Sequence, residues 1–197
     1  MTGLLVATTN GAKLREIEAI LEGLPLELVT LSAFPHVDEP EESGATFGEN
    51  ARLKALYYAA ATGLPTVADD SGLEIGAFGG EPGVHSARWH GTDYGVKFQK
   101  IRERLVQCGL ETSDARFVCH AAVARDARIV YETEQTVEGC LADEPRGDEG
   151  FGYDPIFVYP PLGLTLAEIN RTEKSRISHR GKAFRAVREY LLQSHGR

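Results

Sequence analysis

The sequence predicts an α/β protein built on a mixed β-sheet with flanking helices, and three observations predict it. Short apolar runs such as Leu4-Leu5-Val6-Ala7 and Thr66-Val67-Ala68 end directly in polar motifs, as buried strands do when they deliver side chains to the end of a sheet. Segments with apolar residues at helical spacing alternate with these runs. Two long strand-like stretches separated only by Asp126-Ala127-Arg128 read as an antiparallel hairpin, so the sheet is not purely parallel.

Taken in order, residues 3–9 read as a buried strand. Leu14, Ile17, Ile20 and Leu21 then place a helix over about 12–22. A second short strand is expected over 25–31. Residues 32–44 are irregular and acidic, with Asp38, Glu39, Glu41 and Glu42 crowded around Pro40. Thr46 with Glu49 three residues later is a capping-box pattern. It opens a helix rich in Ala, Leu and Tyr that stops at Gly63, before Pro65. Residues 67–70 read as a strand end, with Ser71-Gly72 suited to a tight turn. Gly76, Gly79, Gly80 and Gly83 mark a loop region. Residues 93–108 look helical, and 117–125 and 129–140 are the arms of the hairpin. A loop over 142–155 leads to a short strand at 156–158, and the last helix carries Phe184, Val187 and Leu191 on one face. No repeat, linker or low-complexity segment interrupts the chain, which is read as one domain over 1–197.

The 197 residues can bury a sizeable core, and 42% hydrophobic with 25% charged residues is ordinary for a soluble globular protein. A net charge of -8 argues against a nucleic-acid binder, which needs a basic face. The three cysteines, Cys108, Cys119 and Cys140, have no metal-ligand spacing and fit reduced thiols in the cytoplasm. No run approaches the ~18 apolar residues of a membrane span, so no membrane partner is expected and the expected location is cytoplasmic.

Six groups of residues are candidates to carry chemistry. Thr8-Thr9-Asn10-Gly11-Ala12-Lys13 joins a strand to a helix, where free backbone N–H groups, a partial positive charge and the lysine suit phosphate, although Thr9 or Asn10 also suits an ordinary N-cap. In Asp69-Asp70 the neighbouring side chains of an extended chain point to opposite faces, so only one faces a given metal directly. Glu41 or Glu42 is placed to complete a magnesium site of carboxylates, waters and phosphate oxygens. Asn50 and Lys54, one helical turn apart, face the same way. In Phe151-Gly152-Tyr153-Asp154-Pro155, Phe151 or Tyr153 is available to stack on a base, the alternative being a loop stapled to the core. Lys174 with Ser178-His179-Arg180 supplies donors suited to the keto oxygens of a purine.

Together these motifs resemble the inosine triphosphate pyrophosphatase family, the dITP/XTP pyrophosphatases. The resemblance runs in order through Thr8-Thr9-Asn10 with Lys13, Glu41-Glu42-Ser43-Gly44 to Ala51, Ala68-Asp69-Asp70-Ser71-Gly72-Leu73, Gly79-Gly80 with Ser86-Ala87-Arg88, Phe151 to Phe157, and Glu173-Lys174 with Ser178-His179-Arg180-Gly181. It implies an elongated mixed α/β fold with two lobes around a central nucleotide-binding cleft, usually a homodimer. It also implies Mg²⁺-dependent hydrolysis of ITP, dITP and XTP to the monophosphate and pyrophosphate. By motif, Thr8 to Lys13 and Lys54 would hold phosphates. Asp70 would be the catalytic carboxylate, as base or as metal ligand, with Glu41 or Glu42 helping to hold metal. Ser71, Phe151, Gly152, Tyr153, Asp154, Lys174, His179 and Arg180 would contact substrate. Thr9 stands where the family often has glycine, so a positive φ there would be strained. A related Maf-like pyrophosphatase and a non-catalytic nucleotide-binding module are the competing readings. Ser178-His179-Arg180 favours the purine-directed enzyme over the first, and the carboxylates beside a phosphate site argue against the second.

Overall fold

In the computed structural model, which describes residues 3–195, the elements follow in the order β1 (Gly3–Val6), α1 (Gly11–Leu21), β2 (Glu27–Thr30), α2 (Phe47–Thr62), β3 (Thr66–Ile75), α3 (Tyr94–Gln107), β4 (Asp114–Arg125), β5 (Arg128–Leu141), β6 (Phe157–Tyr159), β7 (Leu164–Thr165), α4 (Arg171–Ile177) and α5 (His179–His195). The strands form one sheet in the order β2-β1-β3-β4-β5-β6-β7. β1 is parallel to both β2 and β3, whereas β6 is antiparallel to β5 and β7, so the expected mixed sheet is present. No helix among the described residues is long and apolar enough to cross a membrane.

Two compact units interleave along the chain. The first takes the residues up to Asp70, Cys119–Gln135 and the residues from His179 on, and the second takes Ser71–Val118 and Thr136–Ser178. In the first unit the two-residue period of the strands sorts side chains onto opposite faces. Leu4, Val6, Val67, Cys119, Ala121 and Val123 pack with Ile17 and Leu21 of α1 and with Phe184, Val187 and Leu191 of α5. The alternate residues Leu5, Ala7, Ala68, Ala122 and Ala124 pack with Ala51, Ala55 and Tyr58 of α2. The second unit has its own core, in which Leu73, Ile75, Ile101, Leu105, Phe117, Tyr153 and Phe157 are buried together.

Local sequence accounts for most boundaries. Thr46 Oγ1 accepts from Glu49 N at 3.1 Å while Glu49 Oε2 accepts from Thr46 N at 3.3 Å, completing the expected capping box. Gly63, in the left-handed region at φ +70°, ends α2. The β4–β5 connection has positive φ at both Asp126 (51°) and Ala127 (59°), as a two-residue turn matching strand twist requires.

Other expectations need correction. The first strand stops at Val6 rather than running to residue 9: Thr8 N turns back to donate to Val6 O at 3.1 Å, and Asn10 caps α1 after three intervening residues. β3 does not end in a turn at Ser71-Gly72 but continues to Ile75, since β4 still pairs with it after β1 has ended. The loop around Gly76 and Gly83 contains two short 3₁₀ helices, Gly76–Phe78 and Gly83–His85. The short helix α4 and the two-residue strand β7 carry too little periodicity to be read from the sequence.

Candidate active site

α1 and α2 lie on opposite faces of the sheet, so the chain leaves β1 in one direction to form β2 and returns on the other face to form β3. A reversal of this kind opens a crevice at the carboxyl ends of the parallel strands. β1 pairs with β3 only through Leu5↔Thr66 and Val6↔Val67. Asp69 and Asp70 therefore sit on β3 just beyond the end of β1, beside the loop that carries Thr8 to Lys13.

The parity of β3 decides what each carboxylate meets. Asp69 shares the face of Val67, toward α1 and α5, and accepts from Lys13 Nζ at 3.0 Å, with Arg180 Nε at 3.6 Å. Asp70 shares the face of Ala68, toward α2, and accepts from Asn50 Nδ2 at 3.1 Å and Lys54 Nζ at 3.5 Å. The expectation that the pair splits between faces holds. Both carboxylates are nevertheless buried, at 3% and 6% exposure, so each belongs to a polar interior rather than to an exposed turn.

Their ionisation diverges as a result. Burial raises the Asp69 carboxyl, but Lys13, Arg180 and Lys54 outweigh burial and hold it well below the usual carboxylate range. Burial pushes Asp70 up, and Lys54, Lys13 and the Asn50 hydrogen bond offset this only in part. Lys54 loses charge stability to burial but is lifted above the usual lysine range by Asp70, Asp69 and Glu42. The two neighbouring carboxyls are thus pushed in opposite directions, Asp69 toward a permanent anion and Asp70 toward readier protonation.

Asp69→Asn is therefore expected to cost folding stability. Removing one partner from a buried charge cluster destabilises by about 3–5 kcal/mol. Because the folded pKa of Asp69 is depressed, its contribution to stability is complete above the unfolded value of about 3.9 and is lost as pH falls through the lower folded value. Urea unfolding of wild type and variant at pH 7 checks the loss, and a variant as stable as wild type would refute the pairing.

The phosphate-loop residues lie together at the start of α1. Asn10 Oδ1 accepts from Ala12 N at 3.0 Å and Lys13 N at 3.1 Å, so of the two candidate caps it is Asn10 that caps the helix. Thr8 Oγ1 accepts from Asn10 N at 3.2 Å, and Thr9, Asn10 and Gly11 are exposed. Thr9 is not among the described residues with positive φ, so its replacement of glycine carries no backbone strain.

Of the two acidic candidates, Glu42 is tied to the site: its Oε1 accepts from Lys54 Nζ at 2.6 Å, whereas Glu41 is exposed. Asn50, whose Oδ1 accepts from Gly44 N at 2.8 Å while its amide donates to Asp70, couples the acidic loop to β3. Glu42 and Asp70 thus present carboxylate oxygens around one ammonium, a donor set that suits a hard divalent cation completed by water and phosphate oxygens. Among the described residues no group of three or more metal-ligating side chains converges.

The second unit holds the remaining candidates. Lys174 Nζ and Asp154 Oδ2 form a buried ion pair at 2.6 Å, and the same oxygen accepts from Phe151 N at 2.7 Å. A Cβ at Gly150 would collide with this pair, and its φ of +73° also requires glycine. The Lys174 ammonium lies 5.1 Å from the centre of the half-buried Phe151 ring. Tyr153 is a core residue, 3% exposed, with its OH donating to Ser86 O at 2.9 Å, so the loop staple is Tyr153, and Phe151 is the more exposed aromatic of the two. Ser71 is half-buried on β3 and Gly152 half-buried in the loop.

His179 and Arg180 open α5 in the first unit, both buried. Arg180 Nη1 donates to Glu16 Oε2 at 2.8 Å, and, against the opposing effect of burial, Asp69 and Glu16 hold its pKa above the usual arginine range. The Arg180 guanidinium is thus seated among carboxylates in the first unit, as the Lys174 ammonium is beside Asp154 in the second. Glu16 and Asn50 complete the site. Asn50 was legible as a neighbour of Lys54 on one helix face, but nothing local in the sequence marks Glu16.

A parallel-sheet switch point bearing paired carboxylates and lysines defines an α/β protein equipped to handle a polyanion. The Ham1 family model matches residues 4–190, and the chain belongs to this family. It is 48% identical over 188 residues to a dITP/XTP pyrophosphatase of Thermus thermophilus, covering 94% of this chain and 90% of that protein. To that of Geobacter sulfurreducens it is 44% identical over 193 residues, covering 97% of each. Among solved structures, a HAM1 protein from Coxiella burnetii superposes with a TM-score of 0.89 at 38% identity, over 98% of this chain and 100% of the other. The Staphylococcus aureus Ham1 protein does so with 0.86 at 34% identity, again over 98% and 100%.

Proposed function

We propose that this chain hydrolyses ITP, dITP and XTP to the nucleoside monophosphate and pyrophosphate, as a magnesium-dependent enzyme that clears these nucleotides from the pool. Family membership supports the reaction. One observation carries its chemistry: adjacent carboxylates on β3 that face opposite sides of the sheet and meet different lysines, their pKa values shifted in opposite directions.

In this reading Thr8, Thr9, the backbone at Gly11-Ala12 and Lys13 receive phosphate oxygens, and Lys54 adds a second positive charge. Asp69 acts through Lys13, holding the ammonium in place by a charge-assisted bond. Asp70, oriented by Asn50, is the group that takes a proton from the water attacking the α-phosphorus, or ligates the metal that acidifies it. Asp70 and Glu42 would hold Mg²⁺, which when bound supplies charge neutralisation on the triphosphate and acidifies water. Phe151 offers its ring to the base, while Lys174 and His179 supply donors toward keto oxygens. A cytoplasmic homodimer is part of the same proposal, supported by the family resemblance and, for the compartment, by three free cysteines.

Incubating the protein with ITP, with and without Mg²⁺, and quantifying both products tests the proposal. IMP and pyrophosphate in equal amounts, formed only with the metal, are expected. IDP with orthophosphate, or binding without turnover, would overturn it.

A further inference from the structure

Lys97, in the first turn of α3, takes no part in the mechanism above, yet it is 0% exposed and stands among the largest fully buried side chains. Its Nζ donates to the carbonyl oxygens of Ser86 at 3.0 Å and Ala87 at 2.8 Å. It also lies 4.3 Å from the ring centre of Tyr94 and 5.6 Å from that of Tyr153. Burying an ammonium is costly unless acceptors and aromatic faces replace its water, and here both do. Burial still pushes the ammonium below the usual lysine range. An apolar side chain would fill the same volume without that cost, so the carbonyls give the charge its purpose.

Those carbonyls lead to the loop assigned to the base. Ser86 O accepts from Tyr153 OH at 2.9 Å as well as from Lys97. Ser86 is locked in turn, its Oγ donating to Gly83 O at 2.6 Å and accepting from Leu73 N at 2.9 Å. The Tyr153 ring meets Tyr94 edge-on, with centroids 5.1 Å apart and planes at 85°. Lys97 and Tyr153 therefore share one acceptor and one aromatic neighbour, and Tyr153 stands between Phe151 and Asp154.

We propose that Lys97 is a positioning residue for base selection: its ammonium fixes the Ser86–Ala87 turn and the Tyr94–Tyr153 pair, and through them the Phe151–Asp154 loop. The inference rests on the reading of that loop as the base-binding segment. Loss of the ammonium lets the turn and the Tyr153 anchor shift, which loosens the grip on the base and leaves the phosphate chemistry of Asp70 intact.

The test compares Lys97→Met, Lys97→Gln, Ile101→Val and Phe151→Ala in thermal stability, kcat, KM for ITP and the ITP:GTP ratio of kcat/KM. For Lys97→Met, KM should rise about 10-fold and the ratio should fall by a similar factor, with kcat within about 3-fold of wild type. Lys97→Gln restores one neutral donor and should recover part of both losses. Ile101→Val truncates the core of the same helix and should lower stability while keeping wild-type KM and ratio. If Lys97→Met fails to fold, Lys97→Gln decides alone, a raised KM supporting the role and a wild-type KM and ratio overturning it. Equal KM shifts in Ile101→Val and the Lys97 variants would also overturn it, as general loosening. Phe151→Ala separates the two readings. If it leaves KM unchanged, the base-binding loop is wrong; if it raises KM while both Lys97 variants match wild type, only the Lys97 role fails.

Discussion

Replacing Asp70 by Asn is expected to lower kcat by about 10²–10⁴-fold while leaving nucleotide affinity within a few-fold of wild type. Asp70 is the carboxylate on the α2 face of β3, held by Asn50 at 3.1 Å and neighboured by Lys54 at 3.5 Å. Burial raises its pKa, which favours a group that accepts a proton over one that serves as a fixed counter-charge. Asn keeps the size and one acceptor but has neither the basicity nor the charge, so the loss should fall on turnover. Single-turnover rates and equilibrium binding of ITP at saturating Mg²⁺ separate the two quantities. Near wild-type turnover in the variant would remove Asp70 from the mechanism.

The second large effect is in base selection. Hypoxanthine and xanthine carry a keto oxygen at purine position 6, where adenine carries an amino group. Lys174 has only donors to offer, and its ion pair with Asp154 is buried, at 5% and 4% side-chain exposure. Adenine would set one donor against another where water cannot relieve the mismatch, and such a mismatch discriminates by about 10⁴. ITP, dITP and XTP are therefore expected to exceed ATP by about that factor in kcat/KM, with Lys174→Met collapsing the ratio. GTP, which keeps the 6-keto group, is expected to react slowly, its 2-amino group being disfavoured where the 2-keto of XTP is accepted. Comparable kcat/KM for ITP and ATP in the wild-type protein would refute the role given to Lys174.

Arg180 shows why such assignments need the tertiary contacts. By motif it stands with His179 as a substrate-contacting donor, and only the fold shows that its guanidinium also bonds Glu16, 164 residues away in the chain. Tyr153 is a similar case. In sequence it is one of two aromatics in a glycine-flanked loop, and only its contacts with Ser86 and Tyr94 make it, rather than Phe151, the anchor of that loop.

What the sequence by itself determined is local. The Thr46–Glu49 capping box, the stop at Gly63, the turn at Asp126-Ala127 and the apolar stripe of Phe184, Val187 and Leu191 depend on residues a few positions apart, whose backbone preferences and spacing are written in the chain. The ordered motifs likewise marked the family to which the chain belongs. Strand parity even foretold that Asp69 and Asp70 would part. Only the tertiary structure decided which helix each would face, because that depends on α1 and α5 packing on one side of the sheet and α2 on the other. It chose Glu42 as the partner of Lys54, bound Lys13 to Asp69 across 56 residues, and buried Lys97 against two backbone carbonyls. Such contacts form when the sheet brings distant segments together, and the charges then settle according to burial and neighbours that no short stretch of sequence contains.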